Sequence, residues 1–210
     1  MRRYEGNLTL KAARPYLRLY RGMQFVIKID VCGAEMSVLA RFLDQVALLY
    51  ELGIQIVLVC GSSRGPVATQ VRDFIGHPEV TIVNLAPDAD ADAIAASIAG
   101  KVAAEKLILC GRAPGLLERP GDIRSLVSYA DLAGLRRIER SGEGHGETLE
   151  LARSIRAALT GGVKRVHLIS YSQPDSLLTE VFTNAGSGTL IVSDMNALTP
   201  AELQLLEVAS

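Results

Sequence analysis

The sequence has 210 residues, of which 49% are hydrophobic and 21% charged, with a formal net charge of -1. That balance suits one soluble globular domain and offers no general electrostatic case for nucleic acid or an acidic membrane surface. Cys32, Cys60 and Cys110 stand singly, so neither a disulfide framework nor a metal site is indicated, as expected of a reducing cytoplasm.

Asn7 or Thr9 can cap a first helix running to about residue 20, with Leu10, Ala13, Leu17 and Tyr20 as an apolar stripe interrupted by Pro15. MRRYEGN ahead of it lacks the apolar core of a secretory signal, and no later apolar run is long enough to span a bilayer. The helix either packs on its own domain or serves as an arm on another subunit. Residues 23–29, MQFVIKI, form a buried strand whose one charge is Lys28, near the strand end where doubly wound sheets place ligand-binding groups. A helix over 34–52, ended by Gly53, precedes a second buried strand over 54–60. GSSRGP at 61–66 then opens a helix over 67–76. It is either a plain turn or an anion site at a helix N-terminus, with Arg64 assisting.

A strand is expected over 80–85. Asp88, Asp90 and Asp92 then alternate as an acidic helix start favoured by the helix dipole, without the glycine and glutamate that complete a calcium loop. Another strand covers 104–110 and leads into GRAPGLL. A helix is predicted over 128–138 with Ser128 as its cap, and His145 falls in a surface loop among glycines and acids. A last helix is predicted over 199–208, capped by Thr199.

Residues 161–191 read as strand, helix, strand: an apolar run over 163–170, Pro174 at a helix N-terminus, a helix over 176–182, and glycines that end it. Strand and helix pack antiparallel in such a unit, so His167, Glu180 and Gly186 could converge at one sheet edge. An imidazole, a carboxylate and exposed backbone could hold a small cationic ligand; the alternative is a core histidine and a solvated glutamate. Across the whole chain, buried strands alternating with amphipathic helices predict an α/β three-layer αβα sandwich with a mostly parallel sheet, right-handed crossovers and ligands at the strand C-termini.

The run GGVKRVH followed by LLTEVFTNAGSGT closely resembles the C-terminal part of acetylglutamate kinases and of the related domain in acetylglutamate synthases. There a GGV-x-x-x-H strand precedes an LLLE-[LI]-FT-x-x-G-x-GT helix and turn. The resemblance implies the amino-acid-kinase fold over about residues 10–192, with an internal deletion. In arginine-inhibited members of that family, the equivalents of His167, Glu180 and Gly186 line the arginine site. PYLRLYRG at 15–22 is similar to the family's PY-[IL]-x-x-[FY]-[RH]-G helix, which interlaces dimers into a hexamer. It adds Tyr16 as a candidate for the same site. It also implies an interaction helix over 1–22 ahead of one domain over 23–210, and homo-oligomers formed through that helix and the helix over 34–52.

The nucleotide end resembles the family less closely. Lys28 matches the phosphate-binding lysine of VIK-x-GG-x-A, yet Asp30 and Val31 stand where the family has paired glycines, and Gly33 remains in shifted register. Side chains there obstruct the approach of backbone N–H groups to a phosphate, and Asp30 repels it. Gly61 and Gly65 survive from the family's GGGP, Asp88 falls on its catalytic aspartate with Ala86 for the preceding asparagine, and Gly111 and Arg112 replace a Thr-Asp pair at the nucleotide. The register of the family's second catalytic lysine falls on Leu151, with Arg153 two residues on, so that lysine is absent. Several tens of residues that carry the family's lid are missing around 76–85. The lid positions substrate and excludes water, on which phosphoryl transfer depends.

Three functional readings follow. The chain is a catalytically degenerate relative that binds L-arginine as a regulatory or partner subunit for an arginine-pathway enzyme. Alternatively, it is an active kinase that uses Mg-ATP with Lys28, Gly61, Gly65 and Asp88 to phosphorylate the carboxylate of N-acetyl-L-glutamate, with Arg64, Arg112 or Arg153 replacing the missing groups. In the third, it is a structural scaffold whose sites are vestigial.

Overall fold

The computed structural model describes residues 16–30, 35–61, 67–86, 88–119, 122–131, 146–183, 186–195 and 198. The predicted helix over 199–208, Gly33, Arg64, Gly65 and His145 lie outside them.

Aliphatic runs build the strands at the centre. β1 (Gln24–Asp30), β2 (Gln55–Gly61), β4 (Lys106–Gly111) and β8 (Arg165–Ser170) are buried over nearly their whole length. Burial on both faces is why they read as continuous apolar runs instead of alternating ones. With β3 (Thr81–Asn84), β9 (Thr189–Val192) and β7 (Leu126–Ser128) they form one seven-stranded sheet of order β3-β2-β1-β4-β8-β9-β7. All neighbouring pairs in it are parallel except β8 and β9. A separate antiparallel pair is made by β5 (Leu117–Arg119) and β6 (Asp122–Ile123).

The helices lie in two layers. α1 (Met36–Glu51), α2 (Val67–Ile75) and α5 (Ser176–Phe182) cover one face, where Phe42, Leu43, Val71, Leu177 and Phe182 pack on Phe25, Ile27, Ile29, Ile108 and Ile169. α3 (Ala91–Lys101) and α4 (Gly146–Thr160) cover the other, where Ala95, Ala99, Ile155 and Ala158 meet Val26, Val59, Leu107 and Val166. The α/β three-layer sandwich is as the alternation of strands and helices predicts. Residues 16–20 are helical and pack on the first of these faces of their own domain, with Tyr20 buried and Tyr16 and Leu17 partly so. No helix among the described residues is long and apolar enough to cross a membrane.

Of the helix expected over 128–138, residues 132–138 lie outside the described residues. Ser128 ends β7, pairing with Val192, and a turn follows in which Ser128 Oγ donates to Asp131 Oδ2 at 2.8 Å. Ser128 does both: it pairs as the last residue of β7, and its Oγ accepts from the Asp131 amide at 3.3 Å, the capping contact expected of it.

The chain runs outward from β1 through β2 to β3, then returns to the other side of β1 as β4. The order therefore reverses between β1 and β4, and the crevice beyond their C-terminal ends is where open α/β sheets bind ligands.

Candidate functional sites on the two faces of the sheet

Side chains alternate along β1, so Val26, Lys28 and Asp30 face α3 while Phe25, Ile27 and Ile29 face α1. Lys28 lies at the topological switch and is almost wholly buried. Its ammonium meets two carboxylates, Asp30 Oδ2 at 2.6 Å and Asp92 Oδ1 at 2.8 Å. Burial alone would lower the lysine pKa, but the charges of Asp92 and Asp30 outweigh it and leave the pKa raised. A Cβ built on Gly61 would lie 3.1 Å from Asp30 Oδ1, which puts the Asp30 carboxylate between Lys28 and the end of β2. An anion approaching Lys28 has to compete with that carboxylate.

Asp88 is not one of the two carboxylates that meet Lys28. It is exposed, four residues ahead of the aspartate that makes the contact. Asp90 caps α3 by accepting from the Ala93 amide at 2.9 Å, and Asp92 in the first helical turn thereby points back at β1. The spacing of the three aspartates signals a helix start but not which of them meets the lysine. Leu151 packs on the α4 side of the core and Arg153 is exposed. Arg112 is exposed beyond the end of β4, with Nε donating to Tyr171 Oη at 3.1 Å and its carbonyl accepting from Ser170 Oγ at 2.8 Å.

The second cluster lies on the α1 face and joins β4, β8 and α5. His167 Nδ1 is 2.7 Å from Glu180 Oε1, and His167 Nε2 is 3.0 Å from Lys106 Nζ. With Lys106 as an ammonium donor, Nε2 accepts and Nδ1–H donates to the carboxylate, a consistent assignment with a neutral imidazole. The other carboxylate oxygen, Oε2, accepts from the Ser187 amide at 2.6 Å and the Gly188 amide at 3.0 Å. Burial by itself pushes the Glu180 carboxyl up, but the His167 hydrogen bond and these two backbone donors pull it below its ordinary value.

His167, Glu180 and Gly186 are thus brought together. Gly186 has φ +62°, and a Cβ there would lie 2.9 Å from Glu180 Oε2. Tyr16 stacks on Tyr20 with ring centroids 6.0 Å apart, and Lys106 Nζ lies 5.0 Å from the centroid of Tyr20. Tyr16 reaches the cluster through that ring. Lys106 was missed in the sequence, although it carries the same signal as Lys28, a single lysine in an otherwise apolar strand. Cys60 and Cys110 offer no nucleophile: burial pushes the first thiol up to about 12 and the second well above its ordinary value.

No family model matches the chain. It is 47% identical over 112 residues to an acetylglutamate kinase of Myxococcus xanthus, a match covering 53% of this chain and 36% of that protein. It is 37% identical over 102 residues to an acetylglutamate kinase of Archaeoglobus fulgidus, covering 49% and 35%. The chain spans about a third of the length of these curated relatives. Among solved structures it is similar to N-acetylglutamate synthase from Neisseria gonorrhoeae complexed with coenzyme A and L-arginine, with TM-score 0.73 and 22% identity over 88% of this chain and 64% of that one. UMP kinase from Ureaplasma parvum matches with TM-score 0.57 and 10% identity over 82% of this chain and 100% of that one.

The chain has the amino-acid-kinase fold in shortened form. Within that fold, about half of its sequence is homologous to acetylglutamate kinases.

Proposed function

We propose that this acetylglutamate-kinase-like chain binds L-arginine at the Glu180–His167 cluster and acts as a regulatory or partner subunit for an enzyme of the arginine pathway. The observation that carries the reading is the state of Glu180: a buried carboxylate kept ionised by an imidazole and two backbone amides, with a glycine pressed against it. A planar guanidinium is suited to such a carboxylate because it can donate two parallel hydrogen bonds to it. Lys106, on the far side of His167, supplies a counter-charge for the amino acid's own carboxylate. That the gonococcal synthase was solved with L-arginine agrees with this choice of ligand. The helical segment before β1 contributes Tyr16 to the site and a surface for self-association.

Kinase activity is the second reading, favoured by the position of Lys28 at the topological switch with Asp92 beside it. Mg-ATP would then be held by Lys28, Gly61 and Arg112, and the γ-phosphate would pass to the carboxylate of N-acetyl-L-glutamate. Asp30 weighs against it, since its carboxylate already neutralises the lysine. Calorimetric titration with L-arginine and then Mg-ATP in the same buffer separates the readings. Arginine binding without nucleotide binding is the expected result. Heat from Mg-ATP, with phosphorylation of N-acetyl-L-glutamate lost in Lys28→Ala, would establish the kinase instead.

A further inference from the structure

Glu180 and the turn that follows β4 are held by adjacent residues of one short segment. The Gly188 amide donates to Glu180 Oε2 at 3.0 Å, and the next residue, Thr189, accepts the Leu116 amide on its Oγ1 at 2.9 Å. Both contacts are closely fitted. A Cβ on Gly188 would overlap the Leu168 carbonyl oxygen and lie 3.0 Å from that of Pro114, and one on Gly115, where φ is +150°, would lie 2.5 Å from Thr189 Oγ1. Thr189 is fully buried. The other end of the same turn is fixed at Arg112, whose carbonyl accepts from Ser170 Oγ.

The Glu180 and His167 side chains are each 4% exposed, so a ligand reaches the carboxylate only if a present neighbour withdraws. Two donors of this segment, the Ser187 and Gly188 amides, converge on Oε2, while Ser187 Oγ lies 3.3 Å from it and donates to the Ser176 carbonyl at 2.7 Å. A ligand cation that takes over Oε2 replaces them and frees the backbone immediately before Thr189.

We propose that residues 187–189 are a latch. Occupation of Glu180 by a cationic ligand releases Gly188, shifts Thr189 from under Leu116, and loosens the turn over 112–116. That turn leaves the C-terminal end of β4 beside β1, where Ile29 and Cys110 are register partners, so the latch connects the amino-acid site to the sheet edge that carries Lys28. The identity of the ligand rests on the arginine reading above, while the mechanical link does not. The element with two states is the segment itself, bonded either to Glu180 or away from it.

Amide hydrogen exchange measured by NMR on the whole chain tests the latch, with calorimetry run in parallel. Saturating L-arginine should speed exchange at both Gly188 and Leu116 by at least about fivefold, the low end of ordinary coupling between sites. In Thr189→Val, which keeps the shape but removes the acceptor, Leu116 should exchange fast without ligand and ignore arginine, while Gly188 still responds; Thr189→Ser should restore the wild-type pattern. Arginine heat with a response at Gly188 and none at Leu116 overturns the latch. If arginine gives no heat, the functional reading fails and Glu180→Gln, a poorer acceptor, tests the latch alone. Faster exchange at Leu116 in that variant supports it and an unchanged rate overturns it. Should Glu180→Gln not fold, Glu180→Asp, which withdraws the carboxylate by one methylene, is read in the same way.

Discussion

Nδ1 of His167 lies 2.7 Å from Oε1 of Glu180 across the boundary between β8 and α5, with both side chains almost wholly withdrawn from water. Ionised groups are costly to bury, and this one persists because the His167 ring and the Ser187 and Gly188 amides donate to the carboxylate. The pair fixes how α5 sits on the sheet and makes Glu180 the most sensitive position of the candidate site.

Glu180 also sets an acid limit on the fold. Its folded pKa lies below the unfolded value near 4.5, so its stabilisation is present above that pH and is lost as pH falls through the folded value. Urea midpoints taken from about pH 6 down to about pH 3 should fall more steeply in wild type than in Glu180→Gln. Parallel curves would contradict the coupling. Lys28 works in the opposite sense: its raised pKa gives stability present below 10.5 and lost as pH rises through the folded value. Alkaline unfolding should therefore be steeper in wild type than in Lys28→Met.

Gly186→Ala should impair the site even though the added group is one methyl. The left-handed backbone costs about 1–2 kcal/mol in any residue with a Cβ, and that Cβ would stand 2.9 Å from Glu180 Oε2. Thermal unfolding should show the loss, and L-arginine affinity should fall with it. A variant that unfolds as wild type does would mean that the turn rearranges freely.

Asp30→Asn should make the switch point receptive to anions. Two unit charges about 4 Å apart interact by about 4 kcal/mol at an effective dielectric of 20, so even partial relief should raise affinity for inorganic phosphate or ATP by about tenfold or more. Isothermal titration of the variant beside wild type measures this. Equal, weak binding in both would show that Asp30 is not what excludes the anion.

Gln45 of α1 does for α5 what an N-cap usually does. Asp175, in the cap position, has a left-handed backbone and makes no capping hydrogen bond; Gln45 Oε1 instead accepts from the Leu177 amide at 3.1 Å and the Leu178 amide at 3.4 Å. Gln45→Leu should cost about 1–2 kcal/mol by stranding those donors, while Gln45→Glu, which keeps an acceptor, should retain most of the stability. Urea denaturation of the two variants gives the comparison.

Much of this architecture is determined by the sequence alone. Continuous aliphatic runs such as QFVIKID and QIVLVCG are strands buried on both faces, the 3.6-residue stripe of α1 marks its core side, and the helix over 176–182 follows from its apolar spacing and flanking glycines. The convergence of His167, Glu180 and Gly186 was also legible, because a strand and the helix after it pack antiparallel at short range. Only the tertiary structure decided the rest. Lys106 joins His167 from 61 residues away, and of the three alternating aspartates it is Asp92 that meets Lys28, because strand order and the placing of α3 on the sheet determine which charge faces which. Ser128 makes the capping contact that its chemistry suggests, and that it also ends β7 is decided by pairing with β9. Local propensity acts over a few residues. Which buried charges meet depends on crossovers between strands far apart in the chain, and nothing in the spacing of a single segment records them.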